Sequence, residues 1–141
     1  MSIIYFELLI RKRPVSNQTR NKINRREWIN FVHSEAQKVW TGSSPIKDAN
    51  LQLTLIYLCG DNYGDPNLLD TDNIIKPIQD ALNELVYEDD GLISDVESHR
   101  RFLSEPIDIT NLPLLLQEGV IIGEECVYVK VSESQTLEKY L

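Results

Sequence analysis

Few residues in this sequence could support a disulfide framework, a metal–thiolate site or a membrane span. Its two cysteines, Cys59 and Cys126, lie far apart in apolar, strand-like segments, which predicts free thiols and excludes a cysteine-based metal site. No stretch approaches the roughly 20 apolar residues of a membrane helix. The first apolar run contains Glu7 and lacks a basic start, so it predicts a strand and not a signal peptide. We therefore expect a cytoplasmic protein without membrane contact.

Length and composition are ordinary for a folded domain. The 141 residues are 42% hydrophobic and 26% charged, without repeats or low-complexity tracts. Hydrophobic patterns predict strands over residues 3–10, 51–58, 92–99 and 125–131, the second of them with one strongly buried face. Helical spacing predicts helices over about 26–40, 72–86 and 112–117. This mixture predicts a small α+β domain over residues 1–141, with a mixed β-sheet and packed helices.

Positive charge is scarce overall but concentrated at the beginning of the chain. The net charge is -8, whereas residues 1–47 carry nine Lys or Arg against three Glu. Such an asymmetry is compatible with a partner chosen by its charge, including nucleic acid. Alternatively, both regions are solvated protein faces, and charge alone does not decide between these interpretations.

Two aspartates stand directly before the best-defined predicted helix. In extended backbone Asp70 and Asp72 project to the same face, and such carboxylate oxygens suit a hard cation such as magnesium. Alternatively, Asp72 or Asn73 caps the helix, although a cap leaves Asp70 unexplained. Asp90 lies at the far end of this helix, about 20 Å away. It can reach the first pair only if the chain turns back, and otherwise Asp89 and Asp90 form a plain turn.

Lys76 occupies the first turn of the same helix, where the helix dipole disfavours a cation. The position is easier to explain if its ammonium group faces anions, either the aspartates or a scissile phosphate. Alternatively, Lys76 is a surface lysine that pairs with Asp72 or Asp80.

The segment 70–93 closely resembles the signature of the RusA family of Holliday-junction resolvases. It contains an Asp-x-Asp-Asn-x-x-Lys start at Asp70, an Asp-Ala-Leu sequence at Asp80, and an acidic pair ending at Asp90 before an apolar strand. The elements follow one another in the order of the family pattern. A weaker likeness extends to the opening strand, the loop 14–20, the helix that bears Trp28, and the strand that begins at Glu125.

The resemblance implies a RusA-like fold and a homodimeric, metal-dependent endonuclease that cuts four-way DNA junctions symmetrically. By position, Asp70, Asp72 and Asp90 would be the catalytic carboxylates and the ligands of Mg²⁺, with Mn²⁺ as a substitute. Lys76 would contact the scissile phosphate. Hydrolysis of a phosphodiester needs an activated water and stabilisation of phosphoryl charge, which a carboxylate-held magnesium ion and a lysine can supply.

The basic segment 11–26, which leads into the first predicted helix, gains a role in DNA binding in this interpretation. Phosphate contacts position a duplex without reading its sequence. The candidate DNA-binding residues are Arg13, Asn17, Arg20, Lys22, Arg25 and Lys76. Alternatively, the segment is a soluble surface loop.

The leading hypothesis is thus a junction endodeoxyribonuclease that acts in recombination and repair. The acidic isoelectric point, about 4.7, predicts weak DNA affinity or a narrow binding face. Two alternatives remain open: a non-catalytic homologue that binds DNA or protein, and a metal-dependent phosphoesterase acting on another nucleic acid.

Overall fold

The computed structural model describes residues 2–141, and this part of the chain forms four β-strands and three α-helices. The strands are β1 (Ile4–Ile10), β2 (Leu51–Cys59), β3 (Ile93–Phe102) and β4 (Cys126–Glu133). The helices are α1 (Lys22–Val39), α2 (Ile75–Leu82) and α3 (Leu114–Ile122). Short 3-10 turns span Thr71–Ile74, Asp90–Leu92 and Leu137–Tyr140. The predicted α+β class is confirmed.

The strands form a mixed sheet in the order β1-β4-β2-β3. Strand β4 is antiparallel to both of its neighbours, whereas β2 and β3 are parallel. Parallel neighbours need a crossover connection, and here that connection contains α2 and the two aspartate-bearing 3-10 turns. The acidic motif therefore begins after the end of β2 and finishes directly before the start of β3.

Central strand β2 is buried on both faces. Its odd-numbered residues, from Leu51 to Cys59, pack in the main core with α1 and α2, where Trp28 is fully buried. On the opposite face Leu58 packs with Leu116 of α3 in a second apolar cluster. The prediction of one strongly buried face was therefore incomplete, because α3 covers the face that was expected to be more open.

Helices α1 and α2 differ from their predicted limits for local reasons. Helix α1 begins at Lys22 instead of residue 26 because the Asn21 side chain accepts hydrogen bonds from the next turn and caps it. Helix α2 ends at Leu82 instead of residue 86 because Asn83 has an extended backbone, with ψ 137°, and Glu84 then a left-handed one, with φ 66°. Beyond it, the Ile46 amide donates to the Val86 carbonyl at 2.9 Å.

Helix α3 and strand β3 both end later in the chain than predicted. Helix α3 covers residues beyond the predicted 112–117 and ends where Gly123 adopts φ 75°, a conformation that favours glycine. Strand β3 continues past residue 99 because its last residue, Phe102, still pairs with Cys59 of β2. Cys59 and Cys126 are buried free thiols, as predicted. No helix within residues 2–141 has the length and apolar character to cross a membrane.

Candidate active site

The segment that enters α2 holds its two aspartates at the surface. Asp70 has an extended backbone, with φ -77° and ψ 151°, and precedes the 3-10 turn Thr71–Ile74. Its side chain makes no capping hydrogen bond. Asp72 lies within this turn, and both carboxylates are exposed. A simple helix cap therefore does not account for Asp70.

Pro77 joins this segment to the basic loop. A proline has no amide hydrogen, so the carbonyl of Asn73, four residues earlier, cannot receive the usual helical hydrogen bond. The backbone amide of Asn17 donates to this carbonyl instead, at 2.8 Å. The contact fixes the basic loop 11–21, which contains Asn17, beside the start of α2.

Lys76, in the first turn of α2, contacts two carboxylates that follow it in the acidic motif. Its Nζ lies 2.9 Å from Asp80 Oδ1, in the next turn of α2, and 3.0 Å from Asp90 Oδ2. Hydrogen bonds to Asp80 and then to Asp90 raise the pKa of Lys76, so it remains cationic at neutral pH. The predicted pairing of Lys76 with Asp80 is thus confirmed, and the chain also turns back so that Asp90 reaches the lysine.

Asp80 has a second cationic partner that the sequence did not indicate. Arg25 Nη2 of α1 lies 3.0 Å from Asp80 Oδ2, and the same nitrogen donates to Asn17 Oδ1 at 3.0 Å. Asp80 therefore links Arg25 to Lys76. Its spacing from Lys76 was the only sequence signal for such a role.

The aspartates supply suitable donor chemistry without forming a compact metal centre. Within residues 2–141 no three or more His, Cys, Asp or Glu side chains are grouped to hold a metal ion. However, Asp90 Oδ1 is buried without a hydrogen-bond partner among these residues. A carboxylate oxygen without a donor is well suited to a hard cation. Asp70, Asp72 and Asp90 therefore fit magnesium by their chemistry.

Arg13, a candidate DNA-binding residue, makes several contacts within the protein. Its Nη1 lies 2.8 Å from Asp61 Oδ2 and 3.2 Å from Glu125 Oε1. Its Nη2 donates to the Asn67 carbonyl at 2.7 Å. Burial opposes the positive charge, but the Asp61 hydrogen bond and the nearby Tyr57 and Glu125 raise the pKa of Arg13. The guanidinium group thus ties Glu125, the residue directly before β4, to the loop that precedes Asp70.

The other candidate DNA-binding residues lie around the start of α1. Arg20 and Lys22 are exposed on either side of the capping residue Asn21. Asn17 is also exposed, while Arg25 is partly buried by its contact with Asp80. Through Asn17 and Arg25, this basic region contacts the helix that carries Lys76.

Comparison with known families defines the class of protein. Residues 16–110 match the family model described as endodeoxyribonuclease RusA, a range that includes the basic region, α2 and β3. The class is that of DNA-cutting hydrolases. Since the match covers more than half of its length, the chain belongs to the RusA family. A comparison with curated proteins found no significant match.

Proposed function

We propose that this protein is a metal-dependent endodeoxyribonuclease that resolves four-way DNA junctions in recombination and repair. Family membership supports the nuclease class. The observation that carries the proposal is the 3.0 Å contact between Lys76 and Asp90, which brings the last aspartate of the motif to the first turn of α2. A cation and carboxylates at one surface are the components that phosphodiester hydrolysis requires.

Asp70, Asp72 and Asp90 would hold Mg²⁺, with Mn²⁺ as a substitute. Asp90 Oδ1 supports this assignment, because it is buried and no donor in the described part of the chain reaches it. Bound at these carboxylates, the cation would supply an activated water and offset charge on the phosphoryl oxygens. The exposure of Asp70 and Asp72 leaves their oxygens accessible to the ion and to DNA.

Lys76 would bind the scissile phosphate as a permanent cation. Its side chain is 49% exposed, so phosphate can reach Nζ. Its raised pKa keeps the proton on Nζ at neutral pH. Lys76 therefore acts in this proposal by charge and hydrogen bonding, not as a general base.

The basic region would grip the phosphates next to the cleavage site. Arg20 and Lys22 offer exposed positive charge, and Asn17 offers a neutral polar group. Arg25 lies in the same region beside Asp80. Arg13 would contribute mainly by ordering the loop, because its guanidinium group contacts Asp61, Glu125 and Asn67.

A homodimer would place two such sites on a junction with approximate twofold symmetry. This arrangement accounts for paired cuts in opposite strands. Light scattering of the protein bound to junction DNA tests it, with a dimer mass as the expected result. A monomer bound to a junction that is nonetheless cut symmetrically would contradict the dimer.

Cleavage of a labelled four-way junction tests the proposed activity. The reaction is run with Mg²⁺, with Mn²⁺ and with a chelator, against linear duplex and single strands as competitors. Metal-dependent nicks near the branch point are expected for the junction. Binding without cleavage would favour a non-catalytic binding protein, and preferred cleavage of another substrate would favour a different phosphoesterase.

A further inference from the structure

The segment that carries Asp70 and Asp72 is held through alternate carbonyl oxygens. The carbonyls at positions 67, 69, 71 and 73 each accept a hydrogen bond from outside the segment. The donors are Arg13 Nη2 at 2.7 Å, Arg100 Nη1 at 2.7 Å, Ser98 Oγ at 2.6 Å and the Asn17 amide at 2.8 Å, in that order. Both aspartates thus lie between anchored carbonyls.

The geometry of β3 explains two of these four contacts. Ser98 and Arg100 are two residues apart on an edge strand, so their side chains project to the same face. This spacing matches that of their acceptors, the carbonyls of Leu69 and Thr71. Side chains of β3 therefore provide donors to a segment that does not join the sheet as a strand.

Arg100 is restrained beyond its hydrogen bond. Its guanidinium carbon lies 5.4 Å from the centre of the Phe102 ring, which is a cation–π distance. The hydrogen bond to Leu69 is partly buried, where water competes less for the carbonyl. A hydrogen bond from a charged donor in such a setting is stronger than one from a neutral donor.

We propose that Ser98 and Arg100 are positioning residues, which fix the backbone of residues 69–71 and thereby the directions of the Asp70 and Asp72 carboxylates. This inference rests on the proposed function for its consequence in metal binding. Neither residue needs to touch the metal or the DNA in this role. The three carboxylates are not grouped before a metal ion binds. An ordered backbone at Asp70 and Asp72 therefore raises the affinity for the ion, because less conformational freedom is lost on binding.

Binding of Mn²⁺, measured by titration calorimetry, tests the consequence. Ser98→Ala removes the donor to Thr71, and Ser98→Thr retains a hydroxyl. Ser94→Ala is the matched control, because Ser94 is an exposed serine of the same strand that donates to Asn50 instead. We expect Ser98→Ala to weaken Mn²⁺ binding roughly threefold to tenfold, as the loss of one hydrogen bond would, and the other two variants to resemble the wild type.

Amide hydrogen exchange at Leu68 and Asn73 tests the positioning directly, without metal or DNA, because these amides donate to the carbonyls of Asp65 and Asp70 and lose protection if the segment loosens. Exchange in this segment should accelerate in Ser98→Ala and in Arg100→Gln but not in Ser94→Ala. If wild-type protein binds no Mn²⁺ and cuts no DNA, the proposed function fails, and the exchange measurement alone then decides the positioning role. Unchanged exchange in both Ser98→Ala and Arg100→Gln would overturn that role, even in an active nuclease.

Discussion

Lys76 illustrates how a residue in an unfavourable position is retained by its partners. It is the second residue of α2, where the positive end of the helix dipole repels a cation. Contacts of 2.9 and 3.0 Å with Asp80 and Asp90 compensate for this repulsion. The lysine remains half exposed. A phosphate oxygen can therefore replace Asp80 or Asp90 as the partner of Nζ, and the displaced carboxylate is still solvated.

Lys76→Met is expected to slow junction cleavage by at least about 100-fold, the loss typical when a group that stabilises phosphoryl charge is removed. The fold should persist because ion pairs at half-exposed sites contribute little to stability. Single-turnover cleavage and thermal unfolding measure the two effects. Lys38→Met removes a lysine that pairs with Glu35 outside the motif, and its cleavage rate should be unchanged. Full activity of Lys76→Met would contradict a role in catalysis.

Asp89 and Asp90 allow a matched comparison of adjacent carboxylates. Asp89 is exposed and accepts a hydrogen bond from the Gly91 amide at 2.9 Å, which an asparagine oxygen can also accept. Asp90 Oδ2 instead accepts a hydrogen bond from Lys76, and its Oδ1 has no donor among residues 2–141. Asp90→Asn should abolish Mn²⁺-dependent cleavage, while Asp89→Asn retains it. The reverse order of activities would reassign the metal ligand.

Among contacts of single residues, the sequence predicted those between residues one helical turn apart and missed those between distant segments. The pairing of Lys76 with Asp80 follows from i, i+4 spacing. The contact with Asp90 depends on how the chain returns after α2. The partners of Arg13 include Glu125, which lies 112 positions away, so no local pattern could identify them.

The limits of helices α1 and α2 show how far the sequence predicts secondary-structure elements. The sequence located both α1 and α2, since their apolar faces have a helical period. It extended α2 by four residues because Leu85 and Val86 continue that period. The left-handed backbone of Glu84 and the pairing of Val86 with Ile46 end the helix in the folded protein. Tertiary contacts thus override a continuous apolar pattern.

The cap of α1 is testable by itself. Asn21 Oδ1 accepts hydrogen bonds from the amides of Ile23 and Asn24, each at 3.1 Å. Asn21→Ala should lower the free energy of unfolding by about 1 kcal/mol, measured by urea denaturation. Asn24→Ala is the control, because this exposed residue lies inside the helix, where alanine is tolerated well. Equal stabilities for the two variants would contradict the cap.

The whole molecule brings together segments of opposite charge. Loop 11–21 belongs to the basic third of the chain, and its Asn17 amide bonds to the Asn73 carbonyl at the acidic motif. Part of the basic third of the chain therefore lies beside the acidic motif in the folded protein. The order of charged residues along the sequence could predict the asymmetry, but only the tertiary fold determines which segments become neighbours.

Buried tyrosines make the stability of the protein sensitive to alkaline pH. Burial, followed by hydrogen bonds to Cys59 and Glu125, raises the pKa of Tyr57 well above its ordinary value of 10.0. The unfolded chain therefore loses the phenolic proton first, so this contribution is present below pH 10 and declines above it. Each such tyrosine contributes a slope of up to about 1.4 kcal/mol per pH unit.

Tyr57→Phe should make this alkaline decline shallower by about that slope, because the variant has no phenol at the position. Chemical denaturation at several pH values above neutrality measures it. Tyr63→Phe is the control, since Tyr63 is 89% exposed and should leave the slope unchanged. Identical slopes in Tyr57→Phe and wild type would show that Tyr57 ionises equally in the folded and unfolded protein.

Asp72→Asn tests most directly whether the aspartates of this motif support metal-dependent cleavage of branched DNA. Wild type and variant are incubated with a labelled four-way junction in Mg²⁺, in Mn²⁺ and in chelator, alongside Asp108→Asn as the same substitution outside the motif. The expected result is paired nicks from wild type and Asp108→Asn with either metal, and none from Asp72→Asn. Junction binding by Asp72→Asn should persist, since removing a negative charge does not weaken association with a polyanion. Cleavage by Asp72→Asn at the wild-type rate, or cleavage by any of the proteins in chelator, would contradict the account.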